Sequence, residues 1–198
     1  MKQTRIVSAL FMMVFSIASA ASATRLDPDG RIRMDLLAAA LQAREAAGQD
    51  QGASGRLVIV DYSLHSSEER LFVVNLETGA VSAYRAAHGL GSDPDHDGYL
   101  DSFSSLPGSQ ASPEGLFRLA EAYRGRHGYS ARMDGLDDGN RTARARAIVI
   151  HAAWYAEPGF LARQGKLGRS NGCIVLSAAD LTRFLHEVPA GSLIFVGS

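Results

Sequence analysis

The chain has 198 residues, 46% of them hydrophobic, with 20 Lys+Arg against 21 Asp+Glu and a single cysteine. That is enough apolar material for one substantial core, and a net charge of −1 offers no basic footprint for nucleic acid. A framework of internal disulfides is excluded, because Cys173 has no partner within the chain.

In chain order, Lys2 and Arg5 precede an apolar run from Ile6 to Ala18, and small residues follow in Ala-x-Ala spacing at Ala18-Ser19-Ala20 and Ala21-Ser22-Ala23. This pattern predicts a cleaved secretory signal peptide, with the mature chain starting at Ala21 or Thr24; the second, which puts the signal peptide over 1–23, is favoured. The run is shorter than the roughly 20 apolar residues of a membrane-spanning helix, and no other segment comes close, so no transmembrane segment is expected in the mature chain. Loss of Lys2 and Arg5 takes the balance to 18 basic against 21 acidic residues. Export leads into an oxidising space, where cysteines usually pair. Cys173 is therefore in an intermolecular disulfide, buried and inert, or free and reactive. Nothing in the sequence sets an oligomeric state.

Asp35 is placed to cap a helix over Leu36 to Ala47, with Leu36, Leu37, Ala40 and Leu41 on one face. Gly48 to Gly55 reads as a linker, so 24–55 is expected to form an N-terminal helix and linker ahead of a main domain over 56–198. Short β-favouring runs follow at Leu57 to Tyr62, Leu71 to Leu76 and Val81 to Ala86, with Thr78-Gly79 as the turn between the last two. His88 to Gln110 is a long Gly, Asp, Ser and Pro-rich loop, a length that points to function. Strands are expected again near Leu116 to Leu119 and at Ala147 to His151. Ser177 and Asp180 make the start of a helix through Val188 with Leu181, Phe184 and Leu185 inward, and a last strand runs from Ser192 to Val196.

Chemistry concentrates at Ser170-Asn171-Gly172-Cys173, at the junction of a loop with the apolar Ile174-Val175-Leu176. A thiol attacks as thiolate, and an imidazole in reach supplies the proton acceptor; His151, ending the preceding strand, is the candidate. Gly172 lets the backbone approach a substrate, and amides near Cys173 can face an oxyanion. The bland alternative is a buried thiol acting as a small hydrophobe beside a structural histidine.

These residues also carry a resemblance. Ile150-His151-Ala152-Ala153-Trp154-Tyr155, then Gly165 through Cys173, resembles the murein L,D-transpeptidase catalytic-domain family of the YkuD-type superfamily, whose signature is His followed by Ser-x-Gly-Cys. Ser112-Pro113-Glu114-Gly115-Leu116-Phe117, His88-Gly89-Leu90-Gly91-Ser92 and Phe103-Ser104-Ser105 resemble further pieces in the same order, covering Leu57 to Val196. The resemblance implies a mainly β, mixed-sheet sandwich with an N-terminal helix and a helix near the C-terminus. It implies a cysteine-dependent acyltransferase of the periplasm or cell-wall space acting on peptidoglycan stem tetrapeptides. Cys173 would be the nucleophile and His151 the base, with Ser170 and Gly172 shaping the pocket and orienting the imidazole. Asn171 belongs to the same turn, and no cofactor or metal is needed.

Many relatives carry Arg two positions after the cysteine, where this chain has Val175; Arg169 is the candidate to read a substrate carboxylate instead. His88 is a further candidate for the cleft wall, weighed against a structural role in the loop. Asp93, Asp95 and Asp97 imitate the start of a calcium loop, but Ser104 stands at the twelfth position where the bidentate Glu is required. Arg141, Arg144 and Arg146 could face an anionic wall substrate, but alternating charges beside a strand are expected on a solvated face, and Trp154 and Tyr155 either cover the cleft or join the core. The rival readings are an L,D-carboxypeptidase, with water as acceptor, and a non-catalytic wall-binding module.

Overall fold

The computed structural model describes residues 26–48 and 55–198. The signal-peptide expectation, with its start at Thr24, and most of the expected linker lie outside the described residues. Helix α1 (Met34–Ala46) is followed by strands β1 (Arg56–Asp61), β2 (Glu69–Asn75), β3 (Val81–Arg85), β4 (Gly115–Gly125), β5 (Gly128–Gly135) and β6 (Val149–Ala152). Then come helix α2 (Pro158–Gln164), strand β7 (Ile174–Leu176), helix α3 (Ala178–Glu187) and strand β8 (Leu193–Gly197). No described helix is long and apolar enough to cross a membrane.

All eight strands join one mixed sheet in the order β3-β2-β1-β8-β4-β5-β6-β7, with β1–β8 and β6–β7 parallel and the other pairs antiparallel. The sheet curls until its two ends nearly meet. Just past β3, Ala87 exchanges hydrogen bonds with Val175 of β7 (2.8 and 3.2 Å), giving a nearly closed, barrel-like shape. The sandwich-like layers expected from the sequence are thus opposing walls of one sheet.

Alternation along the strands divides the apolar residues into two clusters, because successive side chains point to opposite faces. From β1 and β2, Val58, Val60, Leu71 and Val73 turn inward, where α3 inserts Leu181 and Phe184; Leu57, Ile59, Phe72 and Val74 turn outward, where α1 covers them with Leu36, Leu37 and Ala40. The N-terminal helix therefore shares a core with the sheet. Its start differs from expectation: Arg33 is the N-cap and lacks a side-chain cap bond, while Asp35 lies inside the first turn and accepts from the Leu36 N–H at 2.8 Å. The α3 cap is as expected, with Ser177 Oγ accepting from the Asp180 N–H at 3.1 Å.

Two elements were not foreseen. β4 runs on to Gly125 and pairs with β5 through a two-residue turn at Arg126 and His127, yet its outer half is exposed and polar, without the apolar alternation that marks a strand. Helix α2 has seven residues and no buried side chain, opened by Pro158 and closed by Gly165 at φ 71°.

Phe184 is fully buried and meets Tyr84 edge-on at 6.1 Å, so its ring is the largest side chain by which α3 enters the barrel interior, beside Leu181. Phe184→Ala is expected to destabilise the fold by about 3–5 kcal/mol. Urea denaturation checks this, and a loss under about 1 kcal/mol would show that α3 does not depend on that ring.

Candidate active site

β6 and β7 are parallel neighbours in the register Ile150 with Ile174 and His151 with Val175. Extending it by one residue sets Cys173 opposite Val149. Residues 149 and 151 share a face of β6, so the thiol and the imidazole emerge on the same side. Both line one groove of about 530 Å³, together with Tyr123, Arg126, His127, Arg146, Ala147, Val149, Tyr155, Arg169, Ser170 and Asn171. Cys173 is half-buried at its floor and His151 is 3% exposed. Of the sequence candidates, the groove brings together Cys173, His151, Ser170, Asn171 and Arg169.

The Ser170–Cys173 turn is tied by its own serine. Ser170 Oγ donates to the Cys173 carbonyl at 2.7 Å and accepts from the Gly172 N–H at 3.1 Å. Its bonds thus hold the turn and do not reach the imidazole, whose Nδ1 pairs with the Ala152 carbonyl at 3.0 Å. Gly172 sits at φ 111°, and a Cβ there would come within 2.6 Å of the Ala111 carbonyl oxygen, so both backbone shape and space demand glycine. The upstream motif pieces converge here. Ser112 Oγ accepts from the Gly89 N–H at 2.9 Å and lies 3.4 Å from the Gly172 carbonyl it donates to, while the Ser104 N–H donates to the Ser112 carbonyl at 3.0 Å. A Cβ on Gly89 would strike the Gln110 carbonyl at 2.4 Å. Asn171 Oδ1 accepts from Gln110 Nε2 at 3.4 Å on the exposed side of the same turn.

Electrostatics set the resting protonation states. Burial pushes the Cys173 thiol up, against a lowering by the Val149 N–H and the Arg146 charge. Burial pushes the His151 imidazole down; its bond to the Ala152 carbonyl opposes this, and His127 adds to it. His127, from the β4–β5 turn, lies over His151 with ring centroids 4.4 Å apart and planes 30° from parallel. At neutral pH the pair is accordingly thiol and neutral imidazole. The thiol points its proton at the Ala147 carbonyl at 3.7 Å. Ala147 itself is held at φ 55°, an uncommon conformation for a residue with a Cβ. With Nδ1–H donating to Ala152, Nε2 is the basic nitrogen of His151.

Arg146 is the residue that sequence reasoning misplaced. Arg141 pairs with Asp138 and Arg144 with Glu121 and Asp134 on the surface as expected, but Arg146 turns into the groove. Its guanidinium donates to the carbonyls of Ser104 (2.8 Å) and Ala111 (2.7 Å) and lies beside Gly172. Arg169 also lines the groove, with Nη1 donating to the Asp93 carbonyl. Val175 is fully buried and packs with Ala87, Ala156 and Leu167.

His88 is a correction. It is 1% exposed and not in the groove wall. Its Nδ1 accepts from Arg70 Nη2 at 2.7 Å and its Nε2 donates to Asp93 Oδ2 at 3.0 Å, forming a buried chain in which Arg70 also donates to the Ala86 and Leu64 carbonyls. Burial, then Arg70, push the His88 imidazole down to about 4. The Asp93, Asp95 and Asp97 carboxylates lie within 4.8 Å of one another, but Asp93 is already engaged by His88 and by the N–H groups of Asp97 and Gly98.

The model of the L,D-transpeptidase catalytic domain matches residues 29–196. The chain belongs to the L,D-transpeptidase catalytic domain family. Similar solved structures include an L,D-transpeptidase from Mycobacterium smegmatis (17% identity, 73% of this chain and 59% of that one, TM-score 0.45). Another is L,D-transpeptidase 3 from Mycobacterium tuberculosis in complex with a faropenem-derived adduct (16% identity, 73% and 60%, TM-score 0.45). The chain spans about three fifths of the length of these two proteins. No curated protein matches it.

Two predictions follow from the charges in this L,D-transpeptidase domain. Arg146→Gln removes the guanidinium that draws on the thiolate, so iodoacetamide alkylation of Cys173 near neutral pH is expected to slow by about three- to ten-fold, with Arg146→Lys in between. An unchanged rate would remove Arg146 from the site's electrostatics. For His88, the unfolded chain binds a proton between about pH 6.5 and about pH 4 that the folded chain does not, so stability falls on acidification through that window, by up to about 3 kcal/mol. NMR titration of its ring is expected to show the neutral form persisting at about pH 5, and a midpoint near 6.5 would contradict the buried chain.

Proposed function

We propose that this domain is a cysteine-dependent L,D-transpeptidase that processes peptidoglycan stem tetrapeptides through a thioester. The observation that carries the proposal is the shared groove: a half-buried thiol and a neutral imidazole on adjacent parallel strands, with the imidazole's Nδ1 fixed by a backbone carbonyl so that Nε2 is free to accept a proton.

When a stem enters, His151 Nε2 takes the thiol proton as sulfur attacks the carbonyl joining the third residue to the terminal D-alanine. The Val149 N–H and Arg146 stabilise the sulfur's charge as it forms. The Gly172 N–H is engaged by Ser170 Oγ, which leaves the Cys173 N–H as the local donor for the oxyanion. Collapse of the tetrahedral adduct expels the D-alanine amine, which receives the proton from His151. An amine acceptor, already deprotonated or giving its proton to His151, then attacks the thioester and frees the thiol.

The groove favours this anionic substrate. Arg126, Arg146 and Arg169 line it, and among the described residues no carboxylate does. The same reading places the protein outside the cytoplasm, in the periplasm or cell-wall space, supported by the charged, apolar and small-residue succession at its N-terminus.

The test is incubation with a defined disaccharide-tetrapeptide, with and without an amine acceptor, followed by mass analysis. Expected are loss of D-alanine, an acyl adduct on Cys173 and an acceptor-linked product, all abolished in Cys173→Ala, which should fold normally. Tripeptide as the sole product in excess acceptor would make the domain a carboxypeptidase. Binding to cell wall with no adduct and no turnover would make it a wall-binding module.

A further inference from the structure

Directly after β6 the chain turns through a 3-10 segment (Trp154–Ala156) that leaves Trp154 72% exposed. A single exposed apolar side chain is ordinary, and Met34 and Leu106 are as exposed; what sets this indole apart is that it is braced by two rings beside the groove. The ring is held in place. Tyr155 meets it at 5.7 Å and 82°, and Phe160 of α2 meets it at 5.4 Å and 79°. Neither contact covers it.

The position is continuous with the active groove. Tyr155 lines that groove, and its Cβ and ring press against Gly168 in the loop leading to Cys173. Trp154 is not itself in the groove lining, but its indole meets the Tyr155 ring and so lies one aromatic neighbour beyond it. The two neighbouring surfaces differ in kind: the groove carries three arginines, whereas the Trp154 surface presents aromatic carbon. Glu157, the nearest acidic residue in sequence, turns its carboxylate to the Ala178 N–H at 2.8 Å.

We propose that Trp154 is a sugar-stacking platform for the glycan that bears the stem peptide. The inference rests on the function proposed above and specifies a second part of its substrate. A pyranose ring has one face of C–H groups and a rim of hydroxyls. Laid on an indole, it loses apolar surface to the ring while its hydroxyls stay in water, and it needs no charged partner. Charge sorts the two halves of the substrate: carboxylates of the stem go to the arginines and the sugar to the aromatic. A protein partner would call for a contiguous apolar patch of several hundred Å², and a braced indole with two edge neighbours is the size of a sugar ring.

The chain contains a single tryptophan, so its fluorescence reports this surface alone. The Cys173→Ala protein is titrated with an N-acetylated amino-sugar oligosaccharide lacking stem peptides, and separately with the free tetrapeptide. Expected is a saturable intensity or wavelength change with the oligosaccharide and a smaller one with the peptide. In the active protein, Trp154→Ala is expected to raise KM for the disaccharide-tetrapeptide by about five- to ten-fold, an energy of about 1 kcal/mol. The kcat should hold, KM for the free tetrapeptide should be unchanged, and Trp154→Phe should recover part of the loss. No fluorescence response to the oligosaccharide, or equal KM shifts on both substrates, overturns the platform. Absence of turnover on either substrate would count against the transpeptidase reading, and the fluorescence titration would still decide the sugar site.

Discussion

The site depends on the place where the curled sheet nearly closes. β7 has only three residues, too few to hold its position through one neighbour, and it is fixed from both sides: β6 pairs with it in parallel, and Ala87 exchanges hydrogen bonds with Val175 across the other edge. This double anchorage sets the turn before β7 at the mouth of the barrel beside the end of β6. Without the Ala87 contacts, β7 would be a short edge strand and the distance from sulfur to imidazole would wander. The contact also brings the His88–Ser92 segment against Ser170, so the loop that follows β3 backs the Ser170–Cys173 turn through backbone pairing.

From that anchorage the chemistry follows by burial. The groove floor withdraws solvent from both sulfur and imidazole, favouring the neutral form of each, and the Arg146 charge and Val149 N–H counter only part of the effect on sulfur. A neutral pair suits general-base catalysis, in which the proton moves as the carbonyl is attacked, more than a standing thiolate–imidazolium pair. The Arg70–His88–Asp93 chain shows the same physics used structurally: a wholly buried guanidinium is made tolerable by two carbonyls, a neutral imidazole and a carboxylate beyond it.

What could be read from the sequence was whatever a local pattern encodes. The β1–β3 runs and the Ser177 cap are set by side-chain period and by a hydroxyl three residues before an amide, and they stand where expected within one or two residues. That Cys173 and His151 come to one groove was legible because the Ser170–Cys173 turn and the β6 strand have their own residue patterns. Arg146 and His127 were not. Each reaches the groove from a segment whose local sequence looks like a solvated surface, and only the curl of the sheet brings a hairpin tip and a loop arginine over the same strand. For His88 the sequence left two readings, and the structural one holds: Arg70, hidden in an otherwise apolar β2, claims it. Asp35 was a sound cap residue in composition, but the helix begins two residues earlier, which puts it inside the first turn.

The raised affinity of Cys173 for its proton also bears on how long such a protein lasts. Peroxide and disulfides attack sulfur chiefly in its anionic form, so a sulfur kept neutral at rest reacts slowly with either. Wherever small-molecule oxidants are abundant, a lone cysteine that burial holds toward its neutral form meets sulfenic acid formation and mixed-disulfide blockage more slowly than a standing thiolate. The domain would thus carry its own protection against ageing, with no resolving cysteine in the chain to repair the damage.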